Sequence, residues 1–234
     1  MAKLAAFLRP TWTKAVFLVQ WVFFILLTAI QGDLGTPGQW VAILWPLAFF
    51  YLAACGLVAW SQRTTQVARG WRLVALAAAL AALDQGVKAA LARWLPVGRE
   101  IPLLPGLLHL SPTPNMHGTW LAGLLDLPFQ TNLVLMVLVI PVLLGSHHYH
   151  RRYVETEKPS LWVDIAYIGL AAGIASWLFE IATRGYILDY IGLPGVVAAD
   201  LKDLCLAFGA ASAVAETLGR PDTAQPPADG GKDG

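Results

Sequence analysis

The chain has 234 residues, of which 57% are hydrophobic and 13% are charged, and its formal net charge is +1. A soluble domain carries about 25% charged residues, so this composition excludes an ordinary soluble enzyme. Its hydrophobicity also excludes a disordered chain, and so small a net charge gives no field that would attract nucleic acid. Cys55 and Cys205 both lie in apolar runs, so no disulfide framework is expected.

Six apolar runs are long enough to cross a membrane, because about 20 residues of helix span a hydrocarbon core of about 30 Å. Helices are expected, since each one satisfies its own backbone polar groups in lipid. The sequence therefore predicts an all-α polytopic protein with about six transmembrane helices in contact with membrane lipids. The runs lie at roughly 15–31, 40–60, 72–92, 128–146, 160–181 and 201–217.

Basic residues are unevenly distributed between the two sets of connecting segments. The N-terminal flank, the loops 61–72 and 146–160 and the tail together hold eleven Lys and Arg, whereas the opposite loops hold three. Because cytoplasmic loops carry the excess of Lys and Arg, we predict cytoplasmic termini and an outward-facing segment 93–127. The tail, 218–234, is rich in Pro, Gly and Asp, which predicts disorder.

Two connecting segments have unusual compositions. Residues 93–127 contain five prolines around an apolar stretch, Ile101 to Leu110, which either pairs as short strands or lies on the membrane surface. The predicted loop 146–160 contains His147, His148 and His150 beside two arginines. Metal binding is one interpretation, but the histidines are bunched and lack a further ligand at a suitable spacing. A basic loop against anionic lipid is favoured.

Charged residues inside the predicted spans are costly and therefore point to function. Asp84 and Lys88 are four residues apart in the third span, so they share one helical face and can form an ion pair. Such a pair serves either helix packing or a functional site. Counted along the helix, both residues fall in the outer half of the membrane.

Four further acids fall near the same outer face. Glu180 ends the fifth span and Asp203 begins the sixth, while Asp189 and Asp200 lie in the loop between them. Asp200 is suited to cap the sixth helix, and Asp189 can be a solvated loop acid. Two carboxyl groups at one depth on adjacent helices, Glu180 and Asp203, can share a proton and activate water.

An ordered set of motifs resembles lipoprotein signal peptidase (signal peptidase II) over about residues 72–217. Any one motif is weak, but their order is fairly specific. Residues 1–71, with two predicted spans, lie outside the resemblance as an N-terminal extension. The motifs are Asp-Gln-Gly-Val-Lys at 84–88, Glu-Ile-Pro with Pro-Gly at 100–106, Asn-Met-His-Gly-Thr-Trp at 115–120, Gly-Tyr-Ile-Leu-Asp-Tyr at 185–190 and the run 203–209 that begins with Asp203.

The resemblance implies a helical bundle with a small outer-face β-cradle in the bacterial inner membrane. It also implies an intramembrane aspartic endopeptidase that removes signal peptides from lipid-modified prolipoproteins, with two acids that activate water and no metal or cofactor. Asp203 matches one catalytic aspartate of the family, and Glu180 stands where the other is expected. The remaining matched positions are expected to bind substrate: Asn115, Asp84, Lys88 and Asp189.

Several positions depart from the family pattern. Trp177 and Ile181 replace an Asn and an Arg beside Glu180, while Asp200 replaces an Asn and Lys202 precedes Asp203. A displaced carboxylate can reduce a rate by about 10²-fold, and Lys202 favours an ionised Asp203.

Two hypotheses therefore remain. In the first, the protein is a divergent protease in which Asp203 is the base and Glu180 shares the proton, with Asp189 as a second candidate partner. In the second, it is a catalytically inactive relative that acts as a membrane scaffold for a partner protein or lipid.

Overall fold

The computed structural model describes residues 2–119, 122–123, 125–157 and 160–219. The predicted tail from residue 220 onward, and Trp120 of the third motif, lie outside these ranges. The described residues form long helices and one antiparallel sheet, which confirms the predicted fold class of a polytopic helical protein with a small sheet. In chain order, the elements are α1 (Ala2–Leu8), α2 (Trp12–Gln31), α3 (Pro37–Ser61), α4 (Trp71–Trp94), β1 (Ile101–Leu104), β2 (Leu108–Asn115), α5 (Thr131–Thr156), α6 (Leu161–Thr183), β3 (Ile187–Leu193), β4 (Val197–Ala199) and α7 (Leu201–Gly219).

Local signals in the sequence fix the ends of α2 and α3. The hydroxyl of Thr11 accepts a hydrogen bond from the first turn of α2, and Gly32 ends that helix in the left-handed conformation with φ of 80°, which favours glycine. Thr36 and Gln39 form a reciprocal capping box at the start of α3, where Pro37 occupies the first turn. Such caps pair backbone groups that a helix terminus leaves free.

Five of the described helices, α2 to α6, are long and apolar enough to cross a membrane. Helix α7 corresponds to the sixth predicted span, but it is shorter and carries Lys202, Asp203 and Glu216. In the most apolar window of α6, 61% of the residues are buried, against 6% in α5. Helix α6 is therefore the central helix of the bundle, and α5 lies at its periphery.

Helices α6 and α7 approach each other closely through glycines. A Cβ atom added at Gly169 would lie 2.5 Å from the carbonyl oxygen of Cys205, and one at Gly209 would lie 2.8 Å from the backbone nitrogen of Leu170. Small residues let helix backbones come together in lipid. This contact positions the N-terminus of α7, with its charged first turn, beside the C-terminal half of α6, where a Cβ atom added at Gly173 would lie 3.0 Å from the carbonyl oxygen of Lys202.

The four strands form one antiparallel sheet in the order β1-β2-β3-β4. The apolar stretch within 93–127 thus pairs as strands, which settles the alternative left open by its sequence. Helix α3 is tied to the sheet, because Trp45 Nε1 donates to the carbonyl of Leu107 over 3.1 Å and Gln39 Nε2 donates to that of Gly195 over 2.7 Å. We call this end of the bundle the sheet end.

The prediction of a loop at 146–160 is wrong for most of its length. Helix α5 continues to Thr156, so the three histidines lie on its last turns. His150 is buried and lies 2.9 Å from Asp164, and His147 lies 2.9 Å from the hydroxyl of Tyr167. These partners on α6 hold the polar end of α5 against the bundle, at the end opposite the sheet.

Candidate functional site

A buried ammonium group lies at the centre of the charged cluster at the sheet end. Lys88 Nζ lies 2.8 Å from Asp84, 2.5 Å from Glu180 and 2.5 Å from Asp200, and none of the four side chains is more than 1% exposed. We call these four residues the Lys88 group. The predicted pairing of Asp84 with Lys88 is present in the structure, and it is extended by acids from α6 and from the residue before α7.

The carboxylates of the Lys88 group are held by further donors. Glu180 accepts a hydrogen bond of 2.9 Å from the backbone nitrogen of Leu188 and one of 3.2 Å from Arg184. Asp84 accepts hydrogen bonds from the hydroxyls of Ser176, at 2.5 Å, and Tyr190, at 3.3 Å. Buried charges persist when they are paired and hydrogen-bonded, and this group meets both conditions.

A second set of charges surrounds Lys202, on the first turn of α7. Its ammonium lies 3.4 Å from Asp189, 2.7 Å from Asp200 and 3.2 Å from Asp203. The side chain of Asp203 is 43% exposed, whereas that of Asp189 is 7% exposed. We call Asp189, Lys202 and Asp203 the Lys202 group; it differs from the Lys88 group in having one acid open to its surroundings.

Asp200 contacts both lysines, Lys88 and Lys202, and it also caps α7. Its Oδ1 accepts a hydrogen bond from the backbone nitrogen of Asp203 over 3.0 Å, and Asp203 Oδ2 accepts one from the backbone nitrogen of Asp200 over 3.2 Å. This reciprocal pattern is a capping box with an acid at each position. The predicted cap is present, and the same carboxylate also bridges Lys88 and Lys202.

Asn115 connects the sheet to the Lys202 group. Its amide nitrogen donates to Asp189 over 3.2 Å, while its side-chain oxygen accepts from the backbone nitrogens of His117 and Gly118. Gly118 has φ of 78°, a left-handed conformation that glycine adopts without strain. Asn115 therefore orders the loop after β2 and orients one carboxylate of the site.

Counted together with Arg184, which pairs with Glu180, the two groups hold five acids and three cations. Burial raises the pKa of Asp189 above its usual value, against the opposing effect of the Lys202 ammonium. Since two carboxyl groups are in excess over the cations, the cluster is suited to retain a proton. The acids are Asp84, Glu180, Asp189, Asp200 and Asp203, and the cations are Lys88, Arg184 and Lys202.

A cavity of about 330 Å³ opens beside the Lys202 group. Asn115, Asp189, Lys202 and Asp203 line it, together with the loop residues Gly118 and Thr119, residues 197–199 and four residues of α2. Glu180 is fully buried and is not among the lining residues. The cavity therefore reaches the carboxylates of Asp189 and Asp203 but not that of Glu180.

Among the residues that the structure describes, two sets of three carboxylates come close enough together to bind a cation. One oxygen each from Asp84, Glu180 and Asp200 lie within 4.8 Å of one another, as do oxygens from Asp189, Asp200 and Asp203. The ammonium of Lys88 bonds to all three acids of the first set and that of Lys202 to all three of the second. In each set, a lysine ammonium of the chain itself thus supplies the positive charge that a bound cation would supply.

The structure gathers all six sequence-predicted site residues at the sheet end, but in two different settings. Glu180, Asp84 and Lys88 lie in the closed Lys88 group, while Asp203, Asp189 and Asn115 face the cavity. Sequence reasoning missed the hydroxyls of Ser176 and Tyr190 as partners of Asp84. Ser176 is a polar residue inside an apolar span, and this position was the signal in the sequence that could have identified it as a partner of a buried charge.

Comparisons with known proteins place this geometry in context. The family model described as signal peptidase (SPase) II matches residues 76–218, well over half of the chain. Two solved structures of bacterial membrane enzymes, obtained by the in meso method at 2.3 and 1.9 Å resolution, share the fold. Both are 16% identical in sequence to this chain. No curated protein matches.

The first of these structures has a TM-score of 0.56, covering 66% of this chain and 92% of its own. The second has a TM-score of 0.52, covering 64% of this chain and 94% of its own. At this identity the likeness concerns the fold alone. Nearly the whole of each enzyme is thus matched, while about a third of this chain lies outside the match.

Proposed function

Because this chain belongs to the signal peptidase II family, we propose that it is a membrane-embedded aspartic endopeptidase that removes signal peptides from lipid-modified prolipoproteins. The observation that carries the proposal is the pair Asp189 and Asp203 beside one cavity, with Asn115 bonded to Asp189. A water molecule between two such carboxyl groups can be activated when one group is protonated and the other is ionised.

We assign the two roles from the surroundings of each acid. Asp203 is the more exposed acid, lies on the first turn of α7 and lines the cavity, where a water molecule can reach it; it is the base. Burial raises the pKa of Asp189, which favours its protonated form; it is the acid. Asp203 takes a proton from water as the water oxygen attacks the peptide carbonyl carbon, and Asp189 gives its proton to the carbonyl oxygen.

The remaining predicted residues support this pair in our proposal. Asn115 orients Asp189, and the predicted partner of Asp203, Glu180, becomes a positioning residue. Through Lys88, Glu180 is joined to Asp200, which in turn caps the helix that carries Asp203. Asp84 and Lys88 act in the same indirect way.

A second candidate function follows from one observation, the position of Lys202. Its ammonium lies within 3.4 Å of both Asp189 and Asp203, and it favours the ionised state of Asp189. If that state persists with substrate bound, the protein holds a lipid-modified peptide or a membrane partner without cleaving it. This is the alternative of an inactive scaffold.

The deciding experiment is cleavage of a lipid-modified prolipoprotein by the purified protein in detergent, compared with the variant Asp203→Asn. The endopeptidase proposal expects cleavage by the wild type and none by Asp203→Asn, at equal folded yield. Glu157→Gln, an exposed acid at the opposite end, is the matched control and should keep the wild-type rate. No wild-type cleavage, with an active family enzyme working on the same substrate, would favour the scaffold.

We also propose that the protein lies in the bacterial inner membrane with its sheet end outside the cytoplasm. The uneven distribution of Lys and Arg supports this orientation. In a chain lacking Cys55 and Cys205, a cysteine introduced at exposed Glu100 should react with an impermeant maleimide from the outer side. One introduced at Glu157 should not, and the reverse pattern would overturn the orientation.

A further inference from the structure

Helix α2 forms one wall of the cavity beside Asp189 and Asp203. It contributes Gln20, Trp21, Phe23 and Phe24 to the lining, although it lies outside residues 76–218, the part matched by the family model. The N-terminal extension is therefore more than an added anchor, because it completes the cavity of the proposed site.

Gln20 is the one polar residue that α2 contributes to this lining. Its amide nitrogen Nε2 is buried and has no hydrogen-bond partner among the residues that the structure describes. A buried donor without a partner is costly, and Gln20 lines the cavity, where an acceptor on a bound ligand can reach its amide. The free donor therefore indicates that an acceptor arrives with a ligand.

The neighbours of Gln20 restrict what this ligand can be. Trp21 Nε1 already donates to the carbonyl of Ile43 over 2.7 Å, which leaves its ring as an apolar surface, and Phe23 and Phe24 are apolar throughout. The α2 wall thus offers aromatic contact and a single hydrogen-bond donor. This chemistry suits a peptide with apolar side chains and one free backbone carbonyl.

A peptide that is cut inside a membrane presents such a carbonyl. Its backbone must leave the helical conformation around the scissile bond, and each carbonyl that loses its helical partner then needs another donor. Helix α2 runs toward the sheet end, where α3 begins, so Gln20 lies one turn deeper in the bundle than Phe24. Its amide is placed for the part of a substrate that remains in the membrane.

We propose that Gln20 is a substrate-positioning residue, whose amide donates to a main-chain carbonyl on the signal-peptide side of the scissile bond. The proposal rests on the function proposed above and extends it to the N-terminal extension. A hydrogen bond of this kind forms in the bound substrate and in the transition state alike, so its loss raises KM and leaves kcat unchanged.

The test uses the full-length protein and the variant Gln20→Met, which keeps the side-chain length and removes the donor. The probe is a labelled membrane-spanning peptide with a diacylglyceryl-modified cysteine after its apolar segment. We expect KM to rise about 2- to 10-fold, the range given by one neutral hydrogen bond, with kcat within about twofold. Gln31→Met, at the exposed end of the same helix, should change neither value.

Thermal unfolding gives a second reading that does not depend on cleavage. Without peptide, Gln20→Met should unfold at the wild-type temperature or above it, since it removes an unpaired buried amide. The stabilisation that added peptide gives should be smaller than in the wild type. If the wild type binds the peptide without cleaving it, this smaller stabilisation upholds the role of Gln20 while the endopeptidase proposal fails.

Other outcomes overturn the inference. An unchanged KM in Gln20→Met, together with normal cleavage by the wild type, would show that Gln20 does not contact substrate. A lower unfolding temperature of the free variant would show a structural role. Absence of any binding by the wild type would overturn both this inference and the proposed function.

Discussion

The Lys88 group and the Lys202 group are built from the same kinds of residue and lie side by side, joined by Asp200. In the first, Lys88 contacts three carboxylates and every member is at most 1% exposed. In the second, Lys202 also contacts three carboxylates, yet Asp203 is 43% exposed and faces a cavity. On the proposed function, contact with the cavity, rather than charge, separates the acids that react from those that stabilise the fold.

This contrast has an energetic side. Withdrawing a charge from water costs several kcal/mol, and attraction to its buried partners offsets that cost. Removal of one partner leaves an uncompensated buried charge and is strongly destabilising. The Lys88 group should therefore respond to substitution mainly through stability. The Lys202 group, being partly solvated, should respond mainly through activity and its pH dependence.

The largest expected effect on stability is that of Lys88→Met. The change leaves three buried carboxylates without their shared cation, so the free energy of unfolding should fall by about 3–5 kcal/mol. Chemical unfolding in detergent measures it. Arg93→Met, an exposed position on the same helix, should change stability by at most about 0.5 kcal/mol. Equal effects of the two substitutions would show that the Lys88 group stabilises the fold no more than an exposed charge does.

Glu180→Gln should have a smaller effect on the same measurement. The glutamine keeps the shape of the side chain but loses charge-assisted hydrogen bonds to Lys88 and Arg184, so a loss of about 2 kcal/mol is expected. Asp203→Asn should cost less than about 1 kcal/mol, since the Asp203 carboxylate is 43% exposed and solvent screens its pairing with Lys202. A greater loss in Asp203→Asn than in Glu180→Gln would contradict this order.

Lys202→Met should have its main effect on the pH profile of cleavage. The ammonium lowers the pKa of Asp189, so its removal raises that pKa. Activity is lost as the pH rises through the pKa of the group that must be protonated, so the alkaline limb should move to higher pH. Arg184→Met, which affects only the Lys88 group, should leave this limb in place. A shift to lower pH in Lys202→Met would contradict the role given to Asp189.

Much of the helical architecture could be predicted from the sequence, because apolar runs long enough to span a membrane are typical of transmembrane helices. The pairing of Asp84 with Lys88 and the cap at Asp200 were also predictable, since both depend on residues close together in the chain. The continuation of α5 through His147 and His150 was not. Its polar composition resembles a loop, and its partners Asp164 and Tyr167 lie on another helix.

The division of the acids into two groups could not be read from the sequence either. Glu180 lies at the end of one helix and Asp203 at the beginning of the next, so the sequence suggested that both acids share the same surroundings. Their exposure depends on the path of β3 and β4, which brings Asp189 and the backbone of Leu188 between the helices. Likewise, nothing in the spacing of residues 1–71 shows that Gln20 reaches the cavity.

The measurement that tests the central claim most directly is the cleavage rate of Asp189→Asn set beside that of Glu180→Gln, each per mole of folded protein. If Asp189 and Asp203 are the reacting pair, Asp189→Asn should lower the rate by at least about 10²-fold, the contribution of a general acid. Glu180→Gln should remain within about tenfold of the wild type. Loss of cleavage in Glu180→Gln with activity retained in Asp189→Asn would contradict the account and make Glu180 the partner of Asp203.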